Sequence, residues 1–265
     1  MRLQQGLGYS EDQYSLPRWE DLTVSRAGMY DDTYHLLPTQ GWMQVPLVDY
    51  HGGGDAAAFE QLSDHPEAFE MALAQYVGYG VAACWRGPRL YDSDATKALV
   101  DKWVGFYRQH RQLLTSDIVH VRRADGQGLD AILHVDPFYA APDLSSTAWR
   151  GTTAPSTDVL RGKAPHVGAT WGPERAILLV FNPTDAAIED ASLAVNLYYA
   201  GIEIAAAVFE GPGPGPLQQQ QQQQQPNGEP TLLRLNRRYE ATVLVSIEPR
   251  SAKWFLIYDA SSSAG

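Results

Sequence analysis

The chain has 265 residues, 44% of them hydrophobic and 11% aromatic, and carries a formal net charge of −11. That length suits one large domain or two moderate ones, with ample apolar surface for buried cores. The acidic balance argues against a nucleic-acid partner, because phosphate recognition relies on clustered Lys and Arg, and no apolar run is long enough to span a membrane as a helix.

The amino-terminal Met1-Arg-Leu-Gln-Gln-Gly6 lacks the apolar centre of a secretory signal, and the compartment stays open. Cys84 is the only cysteine, which excludes an internal disulfide framework or a thiolate metal cluster. Its apolar surroundings read as those of a buried, inert thiol. Residues 1–40 are irregular, apart from a short helix over Trp19–Tyr30. A strand-like run, Trp42–Val48, then leads into the polar, glycine-rich loop Asp49-Tyr-His-Gly-Gly-Gly54. The spacing of Phe69, Leu73 and Tyr76 predicts a helix over Pro66–Val77, with Asp64 and Pro66 marking its start and Gly78 and Gly80 closing it. A second strand-like run, Val81–Trp85, enters the loop Arg86-Gly-Pro-Arg-Leu-Tyr-Asp92. A longer helix follows over Ala95–Leu114, with Leu99, Trp103, Phe106 and Leu113 on its apolar face. This strand–loop–helix order points to βα units of a parallel sheet or barrel, whose chemistry gathers in loops at the carboxyl ends of strands. Two such units cannot close a barrel, so the chain is expected to begin partway through a larger fold.

The pattern changes after Thr115. Residues 117–122, 130–135, 176–181, 192–199, 231–235, 239–247 and 254–258 read as seven short strands separated by turn signals, the pattern of an antiparallel sandwich. The expected division is therefore 1–115 for the βα part and 116–260 for the sandwich. Two stretches interrupt the second part: the Pro, Gly, Ser and Thr-rich 138–173, and 211–230 with its eight-glutamine run Gln218–Gln225. Both read as mobile insertions with too little apolar surface to offset their ordering entropy.

Candidate chemistry lies in the two strand-end loops. The triglycine Gly52–Gly54 either lets backbone approach a bulky ligand or serves a tight chain reversal. Asp49 and His51 alternate on one side of a strand end, but two ligands do not make a metal site, and neither a metal nor a cofactor is expected. Arg86 and Arg89 are suited either to clamp polar groups of a substrate or to pin the loop through Asp92 or Asp94. Trp42, Trp85 and Tyr91 offer flat faces for stacking on sugar rings, or fill a core. Glycoside hydrolysis needs paired carboxylates; Glu11, Asp12, Asp31, Asp32 and Asp49 are the candidates in loop settings, and Asp49, beside Tyr50 and His51, has the best setting.

The chain resembles the carboxyl-terminal part of glycoside hydrolases of the α-galactosidase-like superfamily. The segments that carry the resemblance are Trp103–Asp117 with Ile118-Val-His-Val-Arg-Arg123, Leu133-His-Val-Asp-Pro137 and Ala176-Ile-Leu-Leu-Val-Phe-Asn-Pro-Thr184. Trp42–Gly54 and Arg86–Asp92 are similar to a less characterised group of barrel proteins. The resemblance covers residues 5–260 without the two insertions. It implies a fold of class α/β plus all-β, in which the last two or three βα units of a (β/α)8 barrel precede an antiparallel β-sandwich. Strands 42–48 and 81–85 would be the last two of eight. The family's nucleophilic aspartate, on the fourth strand, would have no counterpart here. Tyr9–Tyr14 is nearest to the region of its acid/base aspartate, with Asp12 or Glu11 as the candidate. The implied function is hydrolysis of O-glycosidic bonds in the intact protein, with this fragment inactive. Asp49, Tyr50, His51, Trp85, Arg86, Arg89, Tyr91 and Asp92 would bind a carbohydrate substrate. The alternative is a non-catalytic carbohydrate-binding or scaffold protein. An incomplete parallel sheet also predicts self-association through its exposed edge, or a disordered amino-terminal half.

Overall fold

A computed structural model of the chain describes residues 19–35, 43–44, 62–64, 66–79, 82–83, 91–136, 174–211 and 229–262. Helix α1 (Trp19–Asp32) buries Leu22, Arg26, Met29 and Tyr30, one stripe at helical spacing that includes a charged residue. Strand β1 (Met43–Gln44) is followed by a 3-10 turn at Leu62–Asp64 and by helix α2 (Pro66–Gly78), which opens on its proline, where a missing N–H costs nothing. From Ala68 to Gly78 every α2 residue except Glu70 is buried, because the helix is covered by its neighbours and by the sheet. Strand β2 (Ala82–Ala83) pairs in parallel with β1. Helix α3 (Asp94–Leu114) starts at a capping box, in which the Thr96 N–H donates to Ser93 Oγ at 3.2 Å and the Ser93 N–H donates to Thr96 Oγ1 at 3.1 Å. It presents Val100, Trp103, Phe106, His110 and Leu113 inward.

The remaining strands are β3 (Asp117–Arg122), β4 (Asp130–Val135), β5 (Ala176–Asn182), β6 (Ile188–Asn196), β7 (Ala205–Glu210), β8 (Thr231–Arg234), β9 (Glu240–Ile247) and β10 (Ser251–Asp259). Six of them form one sheet in the order β3-β4-β5-β10-β7-β8, every pair antiparallel. β6 and β9 form a separate two-stranded antiparallel layer. One face of the larger sheet, including Ile132, Leu179, Phe181, Phe209, Trp254 and Leu256, packs against the three helices. The other face, including Ala131, Leu133, Leu178, Val180 and Ile257, packs against Leu193, Val195, Val243 and Val245 of β6 and β9. The layers therefore run helix, sheet, sheet. Burial on both sides explains why β4 and β5 are apolar almost throughout, whereas β9 alternates. The turns after β5 and β9 meet here: buried Asn182 donates through Nδ2 to the Ala186 and Glu248 carbonyls, at 2.9 Å each, and accepts from the Thr184 N–H at 3.0 Å.

The protein is thus mostly antiparallel sheet with a few helices on one face. Parallel pairing among the described residues is confined to two residues each of β1 and β2, which does not by itself make a partial barrel. The rest of the expected strands 42–48 and 81–85, with Trp42 and Cys84, lies outside the described residues. β7 is an additional strand beyond the seven expected. Its sequence, Ala-Ala-Ala-Val-Phe-Glu, has little β-propensity, and burial on both faces is what makes it a strand. The expected strand 192–199 begins earlier and ends at Asn196, where Leu197 leads into a 3-10 turn, Tyr198–Ala200, closed by Gly201 at φ +68°. The three amino-terminal helices are docked on the sheet. Residues 137–173 and 212–228, which hold most of the two insertions, lie outside the described residues. They connect β4 to β5 and β7 to β8, each an adjacent antiparallel pair.

Candidate functional site

Of the residues expected to bind substrate, Tyr91 and Asp92 are described; Asp12, Asp49, Tyr50, His51, Trp85, Arg86 and Arg89 lie outside the described residues, as does Glu11. Asp92 sits where the chain enters α3 and accepts three kinds of donor. The Ser63 N–H reaches Oδ2 at 3.1 Å, Ser63 Oγ reaches the same atom at 3.3 Å, and Thr96 Oγ1 donates to Oδ1 at 2.9 Å. The slight burial of the carboxyl raises its pKa, but these donors outweigh it and hold the group below the usual carboxylate range. The carboxylate thus ties the turn before α2 to the start of α3. Tyr91 beside it is exposed, with Lys97 Nζ 5.7 Å from its ring centroid. Together they form a small shelf: one fixed carboxylate, one open aromatic face and one cation.

A second polar constellation, not foreseen in the sequence, lies between the helices and the sheet. Arg26 donates from Nε and Nη2 to both oxygens of Asp130, at 2.9–3.2 Å, and from Nη1 to Gln75 Oε1 at 3.3 Å, all three residues being fully buried. Burial pushes the Asp130 carboxyl up, and the guanidinium pulls it back. Every strong donor of the pair faces a partner, so the pair locks α1 and α2 onto β4. On the same strand, His134 Nε2 lies 2.6 Å from the Gly78 carbonyl, an acceptor, so that nitrogen carries the proton; burial lowers the imidazole pKa to about 4. Near α1, Thr33 Oγ1 donates to the Tyr30 carbonyl and accepts from His120 Nε2 at 2.8 Å, while Tyr34 stacks on the imidazole with centroids 3.6 Å apart. At the far end of α3, Glu174 bridges His110 Nδ1 at 3.1 Å and the Tyr258 hydroxyl at 3.2 Å, and burial followed by the Glu174 charge pushes that phenol far up.

Each of these groups has at least one partner within the fold, which holds its layers together, while Gln75 Nε2 and His134 Nδ1 are buried without one among the described residues. Among the described residues no three His, Cys, Asp or Glu side chains are grouped so that they could hold a metal ion. No helix among them is long and apolar enough to cross a membrane. Arg26–Asp130 left no signal in the sequence, since the partners stand 104 residues apart and an arginine in a helical stripe reads as a solvated edge.

No family model matches the sequence, and no curated protein matches it. Among solved structures, a GH27 β-L-arabinopyranosidase from Geobacillus stearothermophilus aligns in two structures at TM-score 0.44 and 9% and 11% identity, covering 91% and 94% of this chain. A protein from Bacillus halodurans assigned as an α-N-acetylgalactosaminidase aligns at TM-score 0.33 and 10% identity over 73% of this chain. The distant structural neighbours of the chain are therefore glycoside hydrolases. The chain spans 42–43% of the length of the arabinopyranosidase structures and 32% of the third.

Proposed function

We propose that the chain is the carboxyl-terminal part of a carbohydrate-active enzyme that hydrolyses O-glycosidic bonds. The observation that carries this reading is the order of the elements. A parallel β1–β2 pair brackets α2, and α3 then runs directly into an antiparallel sandwich, as expected for the closing βα units of a (β/α)8 barrel and the domain that follows. The motif residues quoted above support it from the sequence side.

In this reading Asp12 protonates the leaving oxygen, and a second carboxylate, on a strand upstream, attacks the anomeric carbon or activates water through an oxocarbenium-like transition state. Asp49, Tyr50, His51, Arg86 and Arg89 take the sugar hydroxyls, while Trp85 and Tyr91 stack on the ring. Asp92, bound by Ser63 and Thr96, fixes the point where the chain enters α3, beside Tyr91. The 265-residue chain alone is expected to be inactive, since one carboxylate cannot fill both roles. The β1–β2 pair also offers an edge through which a second copy can associate.

The test is a panel of aryl glycosides assayed with this chain and with the same chain extended upstream in its reading frame. The expected result is release of aryl alcohol by the extended protein alone, falling about 10²–10⁴-fold on Asp12→Asn. Turnover by the short chain, or none by the extended one, would overturn the proposal. A second reading, a carbohydrate-binding or scaffold protein without hydrolysis, is favoured by one feature: the Asp92 carboxylate is committed to the fold while the Tyr91 ring stays open. Calorimetric sugar binding with no turnover, unchanged by Asp12→Asn, would select it.

A further inference from the structure

The layer of the sandwich farthest from the helices carries a cluster of exposed tyrosines. Tyr198 and Tyr199 lie in the 3-10 turn after β6, and Tyr239 lies just before β9. They are 54%, 61% and 37% exposed, and their neighbours in the turn, Leu197, Ala200 and Ile202, are fully buried in the sandwich core. Tyr198 stands at the centre, edge-on to Tyr199 at 5.4 Å and tilted towards Tyr239 at 5.0 Å between centroids.

Side chains and backbone fix this arrangement in place. The Asn196 side chain donates to the Arg238 carbonyl at 3.0 Å and accepts from the Tyr198 N–H at 3.0 Å, so one residue joins both tyrosine-bearing turns. The Leu197 N–H donates to the Tyr239 carbonyl at 2.8 Å. Asn236 Oδ1 accepts from the Arg238 and Glu240 N–H groups at 2.7 and 3.1 Å. Tyr239 itself is held at φ +61°, a left-handed conformation rare for a bulky side chain. Rings fixed in place lose little freedom on contact with a ligand.

We propose that Tyr198, Tyr199 and Tyr239 form a binding platform for a carbohydrate chain of pyranose rings, carried by the layer of the sandwich away from the helices. Three features select that occupant. The exposed parts of the rings amount to roughly 300 Å², at about 200 Å² per aromatic side chain, well short of the ~800 Å² per partner that a stable protein interface covers. Every exposed ring carries a hydroxyl, and no exposed aliphatic residue adjoins them in either turn, so each face is apolar while its tip is polar. The rim is set with Arg237 and Arg238, both exposed and able to donate to sugar hydroxyls, while Asn236 is held in the turn by Glu240 and the backbone. The carbohydrate class of ligand rests on the function proposed above, but hydrolysis is not required.

The experiment is native affinity electrophoresis of the full 265-residue chain through gels containing soluble galactomannan, arabinoxylan or xyloglucan. Retardation is expected in at least one gel. It should disappear in Tyr198→Ala/Tyr199→Ala, persist in Tyr199→Phe, which keeps the ring, and weaken in Tyr239→Gly. Glycine suits the left-handed site, so the last variant should melt no lower than the parent and carries the test should the double variant fail to fold. Retardation in none of the gels, or retardation unchanged in both Tyr198→Ala/Tyr199→Ala and Tyr239→Gly, would overturn the platform. So would a dimer that dissolves on Tyr199→Ala, since a second copy would then be the occupant. Retention without turnover by the extended protein would sink the enzyme and leave the platform standing; turnover without retention would do the reverse.

Discussion

His134 is buried on β4 and neutral, its pKa lowered from 6.5 to about 4 by loss of solvent. In the unfolded chain the imidazole protonates near its ordinary value, so below pH 6.5 the unfolded state binds the extra proton. The stability this residue contributes is complete above pH 6.5 and is lost as the pH falls towards about 4. The shift corresponds to about 3 kcal/mol across that window. Replacing His134 with Gln, which keeps an N–H donor for the Gly78 carbonyl but does not titrate, should flatten the decline. Urea midpoints at pH 7 and 4.5 for both proteins check it, and equal declines would refute it. Gly78 is constrained from the other side. A Cβ there would stand 2.9 Å from Leu179 Cδ2 and 3.1 Å from Phe181 Cζ, both on fully buried side chains. Gly78→Ala should therefore cost about 1–3 kcal/mol by overpacking, read as a lower urea midpoint at unchanged slope.

At the scale of elements, α1 reaches the sheet through one buried ion pair. Asp130→Asn leaves the Arg26 guanidinium without its counter-charge in a dry interior, and a loss of about 3–5 kcal/mol is expected. Arg26→Met combined with Asp130→Asn should recover much of it, because no charge is then stranded; a double-mutant cycle in chemical denaturation measures the difference. The exposed Arg123–Asp31 pair nearby, at 2.7 and 2.8 Å, should matter by less than about 1 kcal/mol. How legible each element was follows from the same physics. α2 and α3 could be read from the sequence because Pro66 and the Ser93–Thr96 box mark their starts and their apolar residues recur at helical spacing. β7 could not, because three successive alanines signal helix as readily as strand, and partners on both sides decided the matter. The expected strand 192–199 takes in Tyr198 and Tyr199, whereas the strand ends at Asn196 and both rings lie in a 3-10 turn closed by the left-handed Gly201. For the candidate site, the sequence marked Tyr91 and Asp92, but that Asp92 would be bound by Ser63 depended on a contact across 29 residues.

Over the whole molecule, the helices and one face of the large sheet share a core. Among the described residues, the helix-facing side of the large sheet, with Phe181, Phe209, Trp254 and Leu256, is covered by α1, α2 and α3. Residues 116–262 expressed alone should therefore bare a broad apolar surface and pass into the insoluble fraction, while the full chain yields more soluble protein; equal solubility of the two would count against a shared core. The strand order has one more consequence. β5 and β7 run in the same direction, since each is antiparallel to β10. The β4–β5 connection therefore leaves from one pole of the sheet and the β7–β8 connection from the other. Because lengthening such a hairpin costs only about 0.6 kcal/mol per doubling, the sheet can carry two unrelated cargoes at opposite poles, each added or lost without a change of strand register.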